Sequence, residues 1–361
     1  MLEAVELANL DAIVVTARSH LRYLTGYSGG GAYFAPFPLI LVPGRAPIIV
    51  VREFDEENVK AHSCIDDIVA YTHSEDFRTV CSEVLRQYGL QNKRVGMELG
   101  CWSLAPNDVA GIQSNLVDLN IVDASRIVPS VAAIKNEVEI KCLREAAMVT
   151  DLAIGIFNKS IREGISEAEV AGEIRAGLES AEGFITGLNI CFGERLRLPH
   201  ADPENHRIRM NDAAFVELSG VVKDYCSPLC RSAVLGSHPA LERLHKVAEE
   251  AIEAAVEVIR PGVTTGAVSG VIRSVIERAA HSKALRSRTG YQIGTYWTDR
   301  GDLSIEPGAE DVIEANMSFH MPIILFDEDG YQIGCSESVL VTERGAEVLG
   351  KTLHAMYRAS C

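Results

Sequence analysis

Two stretches decide the fold: NEVEIKCLREAAMVTDLAIGIFNKSI over residues 136–161 and LERLHKVAEEAIEAAVEVI over residues 241–259. In each, apolar residues recur every three or four positions, the period of a helix with one buried face. The first runs into Arg162-Glu163-Gly164 and the second into Arg260-Pro261-Gly262. A further helix follows each turn. One opens at Ser166, which with Glu169 three residues on makes a capping box; the other opens near Thr264 or Thr265. At one constant offset Leu143/Leu241, Val149/Val247, Ala153/Ala251, Ile154/Ile252, Arg162/Arg260, Gly164/Gly262, Val170/Val268, Gly172/Gly270, Ile174/Ile272 and Arg175/Arg273 coincide. Two amphipathic helices share small apolar residues by chance. A fixed offset carried through helix, turn and second helix reads instead as an internal duplication.

Strand-rich sequence follows each pair. AAFVELSGVV (213–222) and RSAVLG (231–236) come after the first, SFHMPIILF (318–326) and ESVLVTE (337–343) after the second. A helix pair plus sheet, used twice, predicts an α+β domain with its cleft between two sheet halves. Polar residues on those strands are then the site candidates. Ahead of the duplication, residues 10–51 alternate strand-like runs with turns: DAIVV (11–15), LRYLTGYSGGGAYFAPF (21–37), LILV (39–42) and PIIVV (47–51). Helical periodicity appears over Asp76–Tyr88, a strand at Arg94–Glu98, and VDLNIVDAS (117–125) closes this part. The expected division is an α/β domain over residues 1–127 and the duplicated domain over 128–361.

Length and composition agree with two domains: 361 residues, 47% hydrophobic and 23% charged, with ample chain for buried cores. Fifty acidic against 34 basic residues leave a net charge of −16, which argues against nucleic acid and anionic membrane as partners. The nine cysteines (64, 81, 101, 142, 191, 226, 230, 335 and 361) are odd in number and lack CxxC spacing. Reduced thiols are therefore expected, without a disulfide framework or a structural zinc site. No apolar run reaches the ~18 residues of a membrane span. Glu3, Glu6 and Asp11 stand where a signal peptide would be basic, so a cytoplasmic location is expected.

With the duplication in place, the motifs resemble the pita-bread family of creatinase, aminopeptidase P, prolidase and methionine aminopeptidase. LRYLTGYSG (21–29) resembles the amino-terminal signature of its creatinase- and prolidase-like members, and AAIKNEVEIKCLREAA (132–147) the linker helix opening their catalytic domain. The resemblance implies a creatinase-like amino-terminal α/β domain followed by a pita-bread domain. The peptidases of that family hold two metal ions with two Asp, one His and two Glu. In FVELSGVVKDYCSPLCRSAVLG the first Asp position is Glu217 and the second Pro228. The histidine position falls at Tyr291, one glutamate position at Met321 or Pro322, and the last at Glu337. Two carboxylates without the imidazole cannot hold a hard divalent pair, so no catalytic metal and no cofactor are expected.

Within the family the motifs are most similar to those of the metal-free ectoine hydrolases: Pro199-His200, Phe-x-Glu-x-x-Gly, Tyr-x-x-Pro-x-x-Arg (Tyr225, Pro228, Arg231), Gly-Tyr-x-Ile-Gly and Met-x-Phe-His. One departure is that those enzymes have Tyr-His-x-Pro where this chain has Tyr225-Cys226-Ser227-Pro228. The resemblance makes His200 the general acid/base, since an imidazole carries protons near neutrality. Glu217 and Glu337, set in apolar strands, would bind or attack a cationic amidine or guanidine; the plainer alternative for Glu217 is an ion pair with Arg231. Tyr225, Tyr291 and His320 either contact substrate or pack. Arg231 either partners Glu217 or clamps a substrate carboxylate. Cys226 is a small apolar filler or a thiolate activated by His200. By resemblance alone, Tyr33 and Phe34 reach the cleft of a partner subunit in a homodimer.

The function expected is metal-independent hydrolysis of a non-peptide C–N bond in a small zwitterionic amidine, guanidine or cyclic amide. The rivals are a lyase or cyclase on a related zwitterion, a metal-dependent Xaa-Pro peptidase, and an inactive binding module of the same fold.

Overall fold

The computed structural model describes residues 1–27, 30–32, 35–181, 183–298 and 301–359. It divides into two compact units, one built on Met1–Ala132 and the other on Ala133–Thr298 with Leu303–Cys361. Among the described residues no helix is long and apolar enough to cross a membrane.

In the first unit six strands lie in the order β4-β3-β2-β1-β5-β6: β1 (Ala12–Val15), β2 (Leu39–Leu41), β3 (Ile48–Arg52), β4 (Asp67–Tyr71), β5 (Arg94–Met97) and β6 (Asn120–Asp123). Strand β1 is buried on both faces, Val14 facing one apolar cluster and Ile13 and Val15 another. That is why DAIVV reads as a continuous apolar run rather than an alternating one. The structure corrects one expectation: Arg18–Thr25, read as part of a strand-like segment, is a helix. Its start is held by Glu98, whose carboxylate accepts the backbone N–H of Thr16 at 2.6 Å and of Ala17 at 2.7 Å. A carboxylate at a helix N-terminus satisfies donors that the helix itself cannot. Because Glu98 follows β5, no window around residue 20 reveals it.

The second unit carries the duplication. The helices Glu137–Ser160 and Glu167–Glu179 cover a four-stranded sheet in the order β15-β9-β8-β7: β7 (Phe184–Phe192), β8 (Ala213–Val222), β9 (Tyr225–Leu235) and β15 (Tyr357–Ala359). The helices Pro239–Val258 and Thr265–Ala279 cover a five-stranded sheet in the order β11-β10-β12-β13-β14: β10 (Gly290–Gln292), β11 (Ser304–Ile305), β12 (Ser318–Phe326), β13 (Gln332–Thr342) and β14 (Gly345–Val348).

The two turns match in detail. Gly164 N–H donates to Ile208 O at 3.0 Å, and Gly262 N–H donates to Ile313 O at 2.9 Å. Both glycines have positive φ, 81° and 89°, a backbone region that costs other residues a Cβ clash. Ser166 and Thr264 then cap the second helix of each pair by accepting from Glu169 N and Ala267 N. The half-sheets meet along β9 and β13 through serines. Ser232 Oγ donates to Gly334 O and Ser338 Oγ to Pro228 O, both at 2.7 Å, and Ser336 Oγ accepts from Cys230 N at 2.7 Å.

Candidate active site

Strand alternation sorts the site residues onto two faces. On β8, Ala214, Val216 and Leu218 pack on the helices of the first pair, so Phe215, Glu217 and Ser219 point the other way. Cross-strand register sets Glu217 opposite Cys230 on one side and Asn189 on the other. On β12 and β13, Phe319, Met321, Ile323, Cys335, Val339 and Val341 pack on the helices of the second pair. His320, Pro322, Ser336 and Ser338 are therefore on the opposite, inner face, with Tyr291 paired to His320.

A hydrogen-bonded chain crosses that inner face. Trp297 Nε1 donates to the Tyr291 hydroxyl at 2.8 Å, which lies 3.0 Å from His320 Nδ1. His320 Nε2 is 2.8 Å from Ser336 Oγ, which accepts from Cys230 N. Trp297 reaches this place because Gly187, at φ 64° in a register shift of β7, leaves room for it. A Cβ there would stand 2.4 Å from the indole.

Burial controls the charges. Glu217 is 6% exposed. Desolvation pushes its pKa up to about 7, against the opposing hydrogen bond from Asn189. His320 is fully buried. Desolvation, and then the charge of Arg231, lower it to about 3, so the imidazole is neutral at physiological pH. Burial, followed by the charge of Glu217, raises the Tyr291 phenol above its usual value, so it keeps its proton.

Several sequence expectations change here. Glu337 shares the parity of Cys335 and Val339 and so faces the helices, not the site. Its Oε1 accepts from Arg231 Nη2 at 2.5 Å and sits 2.8 Å from His354 Nε2. The inner-face side chain from this strand is that of Ser336; one residue of register reverses the face. The same alternation puts Met321 in the helix-side core and Pro322 on the inner face.

Arg231 pairs across from Val216 rather than reaching Glu217. It spends all five donors on Leu353 O, Cys230 O, Ser336 O, Glu337 and Thr352 O. None is left for a substrate carboxylate. His200 is exposed in the turn after the Gly193–Arg197 3₁₀ helix and, among the described residues, makes no hydrogen bond to the inner-face cluster. Tyr225 donates its hydroxyl to Glu139 at 2.9 Å. The Cys226 thiol is buried and pushed up to about 12, so it is protonated at neutral pH; that supports packing over a thiolate. Tyr33 and Phe34 lie outside the described residues. Sequence reasoning missed Asn189, Trp297, Ser336 and His354; only Ser336 had a local signal, its parity with His320 across the β12–β13 pair.

Of the positions at which the resemblance expects metal ligands, Glu217, Pro228, Tyr291 and Pro322 lie on the inner face, where Ser336 stands in place of Glu337. Two prolines offer no side-chain donor, and one carboxylate with two hydroxyls does not fit a pair of hard divalent ions. Among the described residues, no group of three or more His, Cys, Asp or Glu side chains is placed to hold a metal ion.

Comparison with known proteins points the same way for the fold. Residues 141–343 match the model of metallopeptidase family M24, and residues 1–133 match the creatinase/prolidase N-terminal domain. The ectoine hydrolase of Halomonas elongata is 27% identical over 367 residues, covering 94% of this chain and 90% of that protein. An uncharacterised hydrolase/peptidase of Sinorhizobium fredii is 29% identical over 363 residues, covering 95% and 92%. Among solved structures, a prolidase from Thermococcus sibiricus has a TM-score of 0.88 at 18% identity, covering 99% of this chain and 96% of that one. The dipeptidase PepE of Mycobacterium ulcerans has a TM-score of 0.87 at 22% identity, covering 99% and 95%.

Proposed function

This chain belongs to metallopeptidase family M24, and we propose that within it the protein is a metal-independent hydrolase of a non-peptide C–N bond in a small zwitterion bearing an amidine, guanidine or cyclic amide. The observation that carries this reading is Glu217: a buried carboxylate with a pKa of about 7, at a position where the family's peptidases bind metal, with prolines at two of the other positions. A carboxylate poised at neutrality deprotonates water and returns the proton to a leaving nitrogen, the two transfers that C–N hydrolysis requires. The likeness to an ectoine hydrolase supports the non-peptide class.

In this scheme Glu217 is the acid/base. Tyr291 and Asn189 contact substrate beside it, and Trp297 closes one side. Arg231 and Glu337 act from behind the sheet, holding β9 against β13. His200 is left without a catalytic step.

The test uses EDTA-treated protein with ectoine, creatine and ornithine lactam as probes, read by NMR for C–N cleavage. Turnover of at least one probe that survives EDTA and falls about a hundredfold or more in Glu217→Gln is expected. Activity that appears only with added Mn²⁺ or Co²⁺, or cleavage of Xaa-Pro dipeptides, would favour a metal-dependent peptidase instead.

A further inference from the structure

The inner-face hydrogen bonds define the direction of every proton along them. Cys230 N–H can only donate, so Ser336 Oγ accepts it at 2.7 Å. Ser336 Oγ also lies 2.8 Å from His320 Nε2 and beside the Cys230 thiol, and Ser336 is completely buried. A neutral imidazole carries one N–H. If that proton were on Nε2, the Ser336 hydroxyl would have only the weak acceptor offered by the Cys230 thiol, in a site without water access. With the proton on Nδ1, Ser336 donates to Nε2 and Nδ1–H donates to the Tyr291 oxygen, 3.0 Å away. Trp297 Nε1–H donates to the same oxygen at 2.8 Å. Both Tyr291 lone pairs are then occupied, and its own O–H has to point away from Trp297 and His320, out of the protein network. Tyr291 is 9% exposed and Ser336 not at all, so the outward proton belongs to the less buried of the two residues.

We propose that Tyr291 is a fixed hydrogen-bond donor to substrate, set by His320 and Ser336, and that the carbon attacked carries an oxygen: the substrate is a cyclic amide or ureide rather than an amidine or guanidine. This rests on the hydrolase reading above and narrows its substrate class. Water gives a proton to the Glu217 carboxylate as its oxygen bonds to the carbonyl carbon, and the C=O pair moves onto the oxygen, held by the Tyr291 O–H. The oxyanion then re-forms C=O, the C–N bond breaks, and the nitrogen takes the proton from Glu217, leaving a carboxylic acid, the ionised Glu217 and an amine from a cyclic amide or a urea from a ureide. An amidinium or guanidinium presents only N–H donors to the Tyr291 donor. Water addition to it discharges a cation, so no oxyanion forms for Tyr291 to stabilise.

The experiment combines two readouts on the full chain. Long-range ¹⁵N NMR of His320 reads the tautomer, and turnover is compared on ornithine lactam, hydantoin-5-acetate, ectoine and creatine in wild type and Tyr291→Phe. The expected result is Nδ1–H, turnover of the lactam or hydantoin, and a loss of roughly 10²–10³-fold in Tyr291→Phe. An Nε2–H tautomer overturns the donor assignment and leaves the hydrolase reading intact. Nδ1–H with turnover of ectoine or creatine alone overturns the substrate class. Nδ1–H with no turnover of any probe overturns the hydrolase reading and, with it, the substrate assignment built on it.

Discussion

Glu217 and Glu337 look alike in sequence, each an acid inside an apolar strand, and the structure separates them completely. Glu217 has a pKa pushed up to about 7 by burial, with only Asn189 opposing. A carboxyl whose folded pKa lies above its unfolded value contributes least when ionised. Stability is therefore lost as pH rises from the ordinary carboxylate range through about 7, by about 3 kcal/mol. Glu217→Gln removes that loss, so its melting temperature should exceed that of wild type at pH 8 and match it near pH 4, checked by thermal denaturation at both. Equal melting temperatures at pH 8 would mean that Glu217 is not held out of water. Glu337 is the opposite case. It neutralises a guanidinium with no access to water, and Glu337→Gln leaves that charge uncompensated, costing about 3–5 kcal/mol. The expected signature is a large drop in melting temperature with the pH–rate profile of the surviving enzyme unchanged. A silent effect on stability with lost turnover would return Glu337 to a catalytic role.

Among the elements, β7 matters more than its weak sequence signal suggests. Its register shift between Thr186 and Asn189 brings Asn189 beside Glu217 and leaves Gly187 under Trp297. Gly187→Ala adds a methyl where the indole stands and forces a non-glycine residue to φ 64°, a strain of about 1–2 kcal/mol. With Trp102 replaced by Phe, so that Trp297 alone reports, the fluorescence of Gly187→Ala should shift to the red as the indole is displaced. Unchanged emission would show that the bulge does not seat Trp297. The strands around it were easier to read. AAFVELSGVV and SFHMPIILF were legible from apolar residues alone, and they coincide with β8 and β12. The helix at Arg18–Thr25 was not legible, because its cap is contributed by Glu98 from a distant strand.

For the whole molecule, separate apolar cores fill the two units, and the second unit repeats one helix-pair-and-sheet plan twice. Units with their own cores need not melt together. Scanning calorimetry is expected to give a calorimetric enthalpy above the van't Hoff value, and a single two-state transition would show that the units unfold as one. The sequence by itself determined the duplication, the location of the helices and most strands of the second unit, and the departure from the metal-binding pattern at Pro228 and Tyr291. These are legible because helix period, turn glycines and residue chemistry are local properties. Only the tertiary structure decided that Ser336 rather than Glu337 lies on the inner face, that Arg231 is fully engaged behind the sheet, and that Trp297, Tyr291, His320 and Ser336 form one chain. Face depends on a single residue of register, and a hydrogen bond's direction depends on what every neighbouring strand leaves it to donate to. Both are set by contacts between segments far apart in the chain.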